Sequence, residues 1–452
     1  MQSDINNKIL KYNNLAPRYT SYPTAPHFSK DITSDIYKGW LEAITDDQNI
    51  SLYFHIPFCR KLCHYCGCHT KIVDYDDPIN SYIDTLIKEL ALVSRSLTNK
   101  HKVIHIHFGG GTPTILEPKI FNKLIAKVRE LFVISENLEF AIEVDPRTIN
   151  EEKVKSYAEN GVNRISFGIQ DFNLDVQTAI NRIQPFELVA NITELFRKYA
   201  INNINFDLIY GLPKQTEKII LENLKQSIKL APTRIAFFGY AHVPWMKKNM
   251  QLINEEDLPD NLARLNMFSL AQDYLSSNGY NPIGLDHFAH QDDSMFNAYN
   301  DGDLKRNFQG YTSDKADILI GLGVSSISYL ADGYAQNNLM ISKYRPAIEK
   351  GEFPIIKGIL LSEDDKIRKL IIDEIMCYMR VDLNKILINT PYSLDDFIPQ
   401  LERLKPLAED GLITINGSEI IINPNARQIT RIVSSLFDAY FKGGVNKHSI
   451  VA

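Results

Sequence analysis

Cysteine is sparse in this chain, with five among 452 residues, which excludes a small scaffold built on disulfides. Long apolar runs are missing too. No stretch approaches the roughly 18 residues needed to cross a bilayer, and the most apolar ones, such as ADILIGLGV, are far shorter. The first thirty residues hold no apolar core of signal-peptide length, so a cytoplasmic location and no membrane span are expected. Positive charge is not in surplus either. The formal net charge is −6, which leaves no electrostatic footprint for general nucleic-acid binding. Low-complexity segments and internal repeats beyond a β-α period are absent. The rest is ordinary folded protein, 44% hydrophobic and 23% charged, in a chain long enough for a large domain with at least one appendage.

The scarce cysteines are concentrated. Cys59, Cys63, Cys66 and Cys68 fall within ten residues of FHIPFCRKLCHYCGCH, and only Cys377 lies elsewhere. In a reducing compartment such a cluster is metal-binding or catalytic more often than disulfide-bonded. Cys59, Cys63 and Cys66 follow C-x3-C-x2-C. Three thiolates on one loop can hold one side of an iron–sulfur cube and leave its fourth iron open to a ligand. A zinc knuckle drawing on His64 or His69 fits the x3 gap and the Cys66-Gly67-Cys68 spacing less well. A redox pair of Cys63 and Cys66 would leave Cys59 idle.

From residue 51 onward β-rich runs alternate with helical patterns. The expected strands are SLYFHI (51–56), KVIHIHF (102–108), LEFAIEV (138–144), RISFGI (164–169), NINFDLI (203–209) and RIAFFGY (234–240). Helical spacing occupies 78–97, 117–131, 149–160, 186–199 and 215–230. Six such units predict an α/β fold with a parallel sheet covered by helices, whose ligands gather at the carboxyl ends of the strands. The cysteine loop follows the first expected strand, GGGTPT (109–114) follows the second, and Glu143 closes the third. All three features are thereby expected on one rim.

Near 345–365 the composition turns richer in charge and turn residues, and a boundary is placed there. The expected domains are an N-terminal arm (1–40), a catalytic domain (41–355) and a small, mainly helical, winged-helix-like C-terminal domain (356–452). DKIRKLIIDEIMCYMR, LDDFIPQLERLKPLAEDG and NARQITRIVSSLFDAYFK supply its amphipathic helices, and LITINGSEIIINP a hairpin with Asn-Gly as turn signal. Without a basic stripe, this module reads as a covering domain rather than a DNA reader. Cys377, in an apolar helix, reads as a buried structural residue.

With its C-x3-C-x2-C loop after the first strand and Tyr65 just before the last cysteine, the chain resembles the radical S-adenosylmethionine (SAM) superfamily. PRYTSYPT, YFHIPFCRKLCHYCGC, HFGGGTPT, EVDPRT, SFGIQDFN, FDLIYGLP, YAHVP, DHFA and RNFQGYT occur in that order. Together they resemble the oxygen-independent coproporphyrinogen III oxidase (dehydrogenase) family of haem biosynthesis, nearly end to end.

The resemblance implies a partial (β/α)6 TIM-like barrel of the radical SAM type. It implies a [4Fe–4S] cluster on Cys59, Cys63 and Cys66, and a SAM site, expected to hold two molecules, at Tyr53, Tyr65, Gly110, Gly111, Thr112, Glu143, Gln170, Arg182, Asp207, Ala241 and Ile327. These residue types suit SAM chemically, since glycine lets backbone approach a ligand, carboxylates accept from hydroxyls or an ammonium, and Arg pairs with a carboxylate. Cys68 and Gln309 match positions tied to catalysis in this branch; for Cys68, a small residue in a tight loop remains an equal reading. Arg18, Tyr19, Tyr22, Arg306 and Asn307 are further substrate candidates, with a rigid strap as the other reading of PRYTSYPT. Asp286 and His287 of DHFA have two readings, a contact with the reaction centre and, as the preferred one, a satisfied core pair.

The implied reaction is oxidative decarboxylation of two propionates of coproporphyrinogen III to vinyl groups, giving protoporphyrinogen IX. In the superfamily, SAM is cleaved by an electron from the cluster to a 5′-deoxyadenosyl radical, which suits a C–H bond too unactivated for any side-chain base. An external low-potential electron donor, an unidentified electron acceptor and a monomeric enzyme are expected. The nearest rival is a haem-binding, chaperone-like relative of the same superfamily, against which Cys68, PRYTSYPT and RNFQGYT match the oxidase. A zinc-stabilised nucleic-acid-binding protein is the remoter one.

Overall fold

The computed structural model describes residues 2–12, 16–330 and 332–441. Residues 1 and 13–15 of the expected arm and the end of the expected C-terminal domain, 442–452, lie outside the described residues. All six expected strands are present, within two residues of the expected bounds except that β3 begins five residues earlier: β1 (Ile50–Ile56), β2 (Lys102–Gly110), β3 (Val133–Val144), β4 (Arg164–Gln170), β5 (Asn203–Tyr210) and β6 (Arg234–Gly239). They pair in parallel in sequence order. The helices Asp77–Ser96, Pro118–Leu131, Glu151–Glu159, Phe186–Lys198 and Glu217–Lys229 stand between them. A shorter helix, Leu174–Ala179, had no counterpart among the expected elements.

The sheet is larger than six strands. It continues through β7 (Asn281–Ile283), β8 (His287–Ala289), β9 (Ile318–Leu322), β10 (Ile327–Leu330), β11 (Gly333–Asn337) and β12 (Ile355–Leu360), in the spatial order β12-β11-β10-β9-β1-β2-β3-β4-β5-β6-β8-β7. β9 lies parallel to β1, so seven strands form the parallel core, and the outer ones are antiparallel. The order has two ends, as an open barrel requires and a closed one does not.

The strands alternate in character, unlike the continuous apolar runs of a sheet covered on both faces. On one face Phe54, Phe108, Phe140, Phe167 and Phe206 join Tyr82, Leu86, Phe121, Leu124, Val189 and Leu224 of the helices in the main core. By the two-residue period of a strand, the other face presents His55, His107, Glu143, Ser166 and Asp207. Its amino-terminal end carries an ion network in which Arg164 Nη1 lies 3.1 Å from Asp293 and Arg164 Nε 3.3 Å from Glu139, with Arg234 also on Asp293. The polar face is therefore left to ligands at the carboxyl ends.

The expected domain boundary at 355/356 falls at the start of β12, which pairs with β11 along the main sheet. The change of layer comes at Ser362, whose capping box with Asp365 starts the helix Glu363–Tyr378. A second core then unites Ile371, Ile375, Leu404, Ile420, Val433 and Phe437 with Ile9, Tyr19 and Tyr22 from the opposite end of the chain. The described residues up to Tyr22 thus pack into the C-terminal layer, whereas Ile32, Tyr37 and Leu41 join the main core. The hairpin Ile413–Asn416 and Glu419–Ile422, joined by Arg380–Asp382, gives that layer its wing. Its two-residue loop is Gly417-Ser418, with Gly417 at φ +63°, so Asn416 ends the strand instead of occupying the turn. No helix among the described residues is long and apolar enough to cross a membrane.

Candidate active site

The loop that follows β1 is fixed from several directions. His64 N donates to Ile180 O at 2.9 Å, and Asn181 Nδ2 to Leu62 O at 2.8 Å. Asn249, far along the chain, brings its side-chain amide to the backbone oxygens of Cys63 (3.2 Å), His64 (3.0 Å) and Cys66 (3.0 Å). Lys247 Nζ donates to Cys68 O at 3.0 Å. Backbone carbonyls that would otherwise compete for solvent are thereby pinned, and the thiols are presented inward.

The cysteines form no disulfide. Cys59 Sγ receives Thr112 Oγ1 at 3.2 Å and neighbours Thr70 Oγ1 at 3.1 Å. Cys63 Sγ faces two guanidinium groups, Arg182 Nη1 at 3.7 Å and Arg147 Nη2 at 3.9 Å. Cys66 is drawn down to about 6, first by its hydrogen bond with the Cys68 side chain and further by Lys247 and Arg182, while Cys68 is pushed up by the same contact. Burial pushes Cys59 up. Soft thiol donors surrounded by cations suit an anionic iron–sulfur cluster. Among the described residues no three His, Cys, Asp or Glu side chains converge on one point as a single metal ion would require. A cluster makes no such demand, because its thiolates bind different irons.

The glycine run crosses behind this loop under tight sterics. A Cβ on Gly110, which sits at φ +116°, would stand 2.7 Å from the His55 ring, and one on Gly111 would stand 2.8 Å from Phe58 O. Gly110 N also donates to Glu143 Oε2 at 3.1 Å. Burial works against the charge of Glu143, yet the His107 hydrogen bond and the Gly110 amide hold it below the ordinary carboxyl range. Gln170, at the end of β4, has φ +67°, a left-handed conformation that costs a non-glycine residue energy and recurs at functional sites. Arg182 Nη2 is anchored on Gly168 O at 2.6 Å while Nη1 lies 3.4 Å from Asp145 Oδ2. Asp207 accepts from Ser166 Oγ and Asn205 Nδ2, both at 2.8 Å. Burial nevertheless raises its carboxyl to about 7.

Cys59, Cys63, Tyr65, Cys66, Cys68, Gly110, Gly111, Thr112, Glu143, Gln170, Arg182 and Asp207 line one cavity of ≈ 290 Å³, with Asp145, Arg147, Ser166 and Phe238. Tyr53, Ala241 and Ile327 are not among its lining residues. Tyr53 lies behind the glycine run, its hydroxyl 3.0 Å from His55 Nδ1. Ile327 is in β10, where its carbonyl would meet a Cβ on Gly321 at 2.7 Å, and Ala241 follows β6.

Gln309 lies elsewhere, in a second cavity of ≈ 200 Å³ with Arg18, Arg306, Arg264, Arg431 and Asp286, and Phe238 is common to both cavities. Tyr19 and Tyr22 are withdrawn from any ligand: they are buried, Tyr19 Oη donating to Asp438 Oδ2 and Tyr22 Oη accepting from Ala439 N, both at 3.0 Å. Asn307 accepts from Gln309 N at 2.8 Å and shapes the 305–312 turn. Asp286 and His287 do pair, at 2.8 Å, but Asp286 also reaches the second cavity. Cys377 is buried in the core, as expected. Asn249, Arg147, Arg264 and Arg431 were not singled out from the sequence. Asn249, Arg264 and Arg431 are separated along the chain from the groups they meet, whereas Arg147 stands in EVDPRT, two residues from its partner Asp145.

A three-thiol loop at the carboxyl end of a parallel α/β sheet, opening on a cavity that holds carboxylates and a buried Arg, defines a radical SAM protein. Residues 53–226 match the model of the radical SAM superfamily. The chain is 45% identical over 433 residues to the oxygen-independent coproporphyrinogen III oxidase of Bradyrhizobium diazoefficiens, covering 96% of each. It is 39% identical to that of Helicobacter pylori J99, covering 98% of this chain and 97% of the other. The solved coproporphyrinogen III oxidase of Escherichia coli, a radical SAM enzyme, superposes with a TM-score of 0.90 at 35% identity over 96% of this chain and 98% of the other. The chain belongs to the oxygen-independent coproporphyrinogen III oxidase family.

Proposed function

We propose that the chain decarboxylates two propionate arms of coproporphyrinogen III oxidatively and without oxygen, giving the two vinyl groups of protoporphyrinogen IX. The observation that carries this reading is the convergence of Cys59, Cys63 and Cys66 with Glu143, Gln170, Arg182 and Asp207 around one cavity, in a chain whose relatives bear this activity nearly end to end. When bound, the cluster and SAM supply a one-electron reductant and a 5′-deoxyadenosyl radical able to take hydrogen from an unactivated carbon.

Cys59, Cys63 and Cys66 hold the cluster, and the guanidinium groups of Arg182 and Arg147 beside Cys63 suit an anionic group there. Tyr65, Gly110, Gly111, Thr112, Glu143, Gln170, Arg182 and Asp207 position SAM, with Tyr53, Ala241 and Ile327 at the margin, and two SAM molecules are used per substrate. At each propionate the β-carbon loses a hydrogen atom, the carboxylate leaves as carbon dioxide, and one electron passes to an acceptor outside the chain. The cluster, once bound, would take its electron from a low-potential donor that is also outside the chain, and the enzyme works as a monomer. The protein itself contributes orientation and exclusion of water. Cys68 acts next to the reacting arm, and Gln309 contacts the substrate from the neighbouring cavity.

Anaerobic turnover tests this directly. Reconstituted protein given SAM, a reductant and coproporphyrinogen III is expected to release protoporphyrinogen IX and carbon dioxide. Absence of both products, with cluster and SAM binding intact, would overturn the assignment, and a haem titration on the same sample would then report the chaperone-like alternative.

A further inference from the structure

The second cavity is unusually cationic for a protein whose net charge is −6. Its lining carries four guanidinium groups, of Arg18, Arg264, Arg306 and Arg431, against the single carboxylate of Asp286. These arginines are held by backbone oxygens. Arg18 Nη2 donates to Gly239 O at 3.2 Å, Arg264 Nη2 to Tyr240 O at 2.8 Å, Arg306 Nε to Tyr19 O at 3.2 Å and Arg431 Nε to Pro17 O at 3.0 Å. At Arg18 and Arg306 the carbonyls fix the forks in place without neutralising them. Burial, followed by the nearness of Arg18, depresses Arg431 to about 9, the sign of a crowded cationic site.

Two donors in this cavity are buried with no hydrogen-bond partner: Arg306 Nη1 and Gln309 Nε2. A buried donor left unmet costs free energy, and a carboxylate would satisfy both and lower the repulsion among the arginines. At ≈ 200 Å³ the space is below the ~300–1,000 Å³ of a site enclosing a whole ligand. It suits arms of a large molecule rather than its ring. Phe238 forms a wall of both this cavity and the one beside the cysteines, so the two are adjacent compartments.

We propose that the second cavity anchors the carboxylates of the propionate arms that are not reacting, while the reacting arm passes Phe238 into the cluster cavity. The inference rests on the coproporphyrinogen reading above. The division of arms follows from charge. A carboxylate leaving as neutral carbon dioxide gains nothing from an arginine that grips its ground state, because binding the ground state more tightly than the transition state slows the reaction. An arm that keeps its charge through the reaction is held by the same arginine at no cost to rate. The arginines therefore act on affinity and register, and the second decarboxylation requires the substrate to re-seat on a different set of arms.

Arg264→Gln, Arg306→Gln and Gln309→Glu test this in the reconstituted holoenzyme. Each arginine variant is expected to raise KM for coproporphyrinogen III about tenfold, with a far smaller change in kcat and with iron content and SAM affinity as in the parent. Arg306→Lys should recover part of the loss. Gln309→Glu, which keeps size and adds a like charge to the bound arm, is expected to raise KM as well, and decides alone if the arginine variants do not fold. Unchanged KM in variants of a working parent overturns this inference only, as does a fall in kcat at constant KM. A parent that does not convert coproporphyrinogen III overturns the functional reading and this inference with it.

Discussion

The side-chain amide of Asn249 lies 3.0 Å from the backbone oxygen of Cys66, across 183 positions of sequence. The same nitrogen is shared with Cys63 O and His64 O, so one side chain sets the curvature of the loop that carries the ligands. Removing it frees three carbonyls at a cost of about 1–3 kcal/mol, borne by the loop rather than the fold. Asn249→Ala is expected to lose iron to a chelator about tenfold faster than the parent. Asn249→Asp keeps the shape but cannot donate, and should behave like the alanine variant. Equal rates of iron loss in all three proteins would show that the loop holds its form without this amide.

Cys63 and Cys68 differ in setting as well as position. Cys63 is buried between Arg182 and Arg147, whereas Cys68 is exposed. Cys63→Ser is expected to prevent reconstitution of a stable cluster, because a hydroxyl is a poor substitute for a thiolate on iron. Cys68→Ser should keep the iron content and the visible absorption of the parent while turnover falls. Iron loss in both variants would mean that four cysteines share the ligation, and full turnover in Cys68→Ser would leave that residue a packing role.

The sheet and the rim were legible in the sequence because both depend on local pattern. Alternation marks strands such as β4 and β5, and C-x3-C-x2-C, the glycine run and Glu143 each announce themselves within a few residues. The second cavity was less legible. Arg18, Arg306 and Gln309 stood in quotable motifs, but Arg264 is one charge in an ordinary helix, and Arg431 belongs to a segment whose role is fixed only when the C-terminal layer folds back on the amino-terminal one. For Tyr19 and Tyr22 the two readings of PRYTSYPT, ligand contact and packed strap, separate only in three dimensions, where Asp438 and Ala439 are their partners and the strap reading holds. The domain boundary shifted likewise: the charged stretch before Ser362 resembles a linker, yet contains an edge strand, where charge blunts unwanted pairing.

Asp207 should report on stability and ligand binding in opposite directions. Burial lifts its carboxyl from the ordinary 3.8 to about 7, with Ser166 and Asn205 only partly offsetting it. A raised acid binds its proton more tightly folded than unfolded, so its contribution to stability is present in full below about 3.8 and is lost as pH rises towards 7. At pH 8 the wild-type chain bears a buried charge that Asn does not. Asp207→Asn is therefore expected to raise Tm at pH 8 by more than it does at pH 5. If the ionised carboxylate accepts from SAM, the wild-type affinity for SAM should climb between pH 6 and 8, and the variant should bind about tenfold more weakly with a flat profile. Isothermal titration and thermal unfolding on the same reconstituted samples separate the cases. A flat wild-type profile would remove Asp207 from the SAM site, and an equal change in Tm at both pH values would show that its carboxyl titrates in the ordinary range.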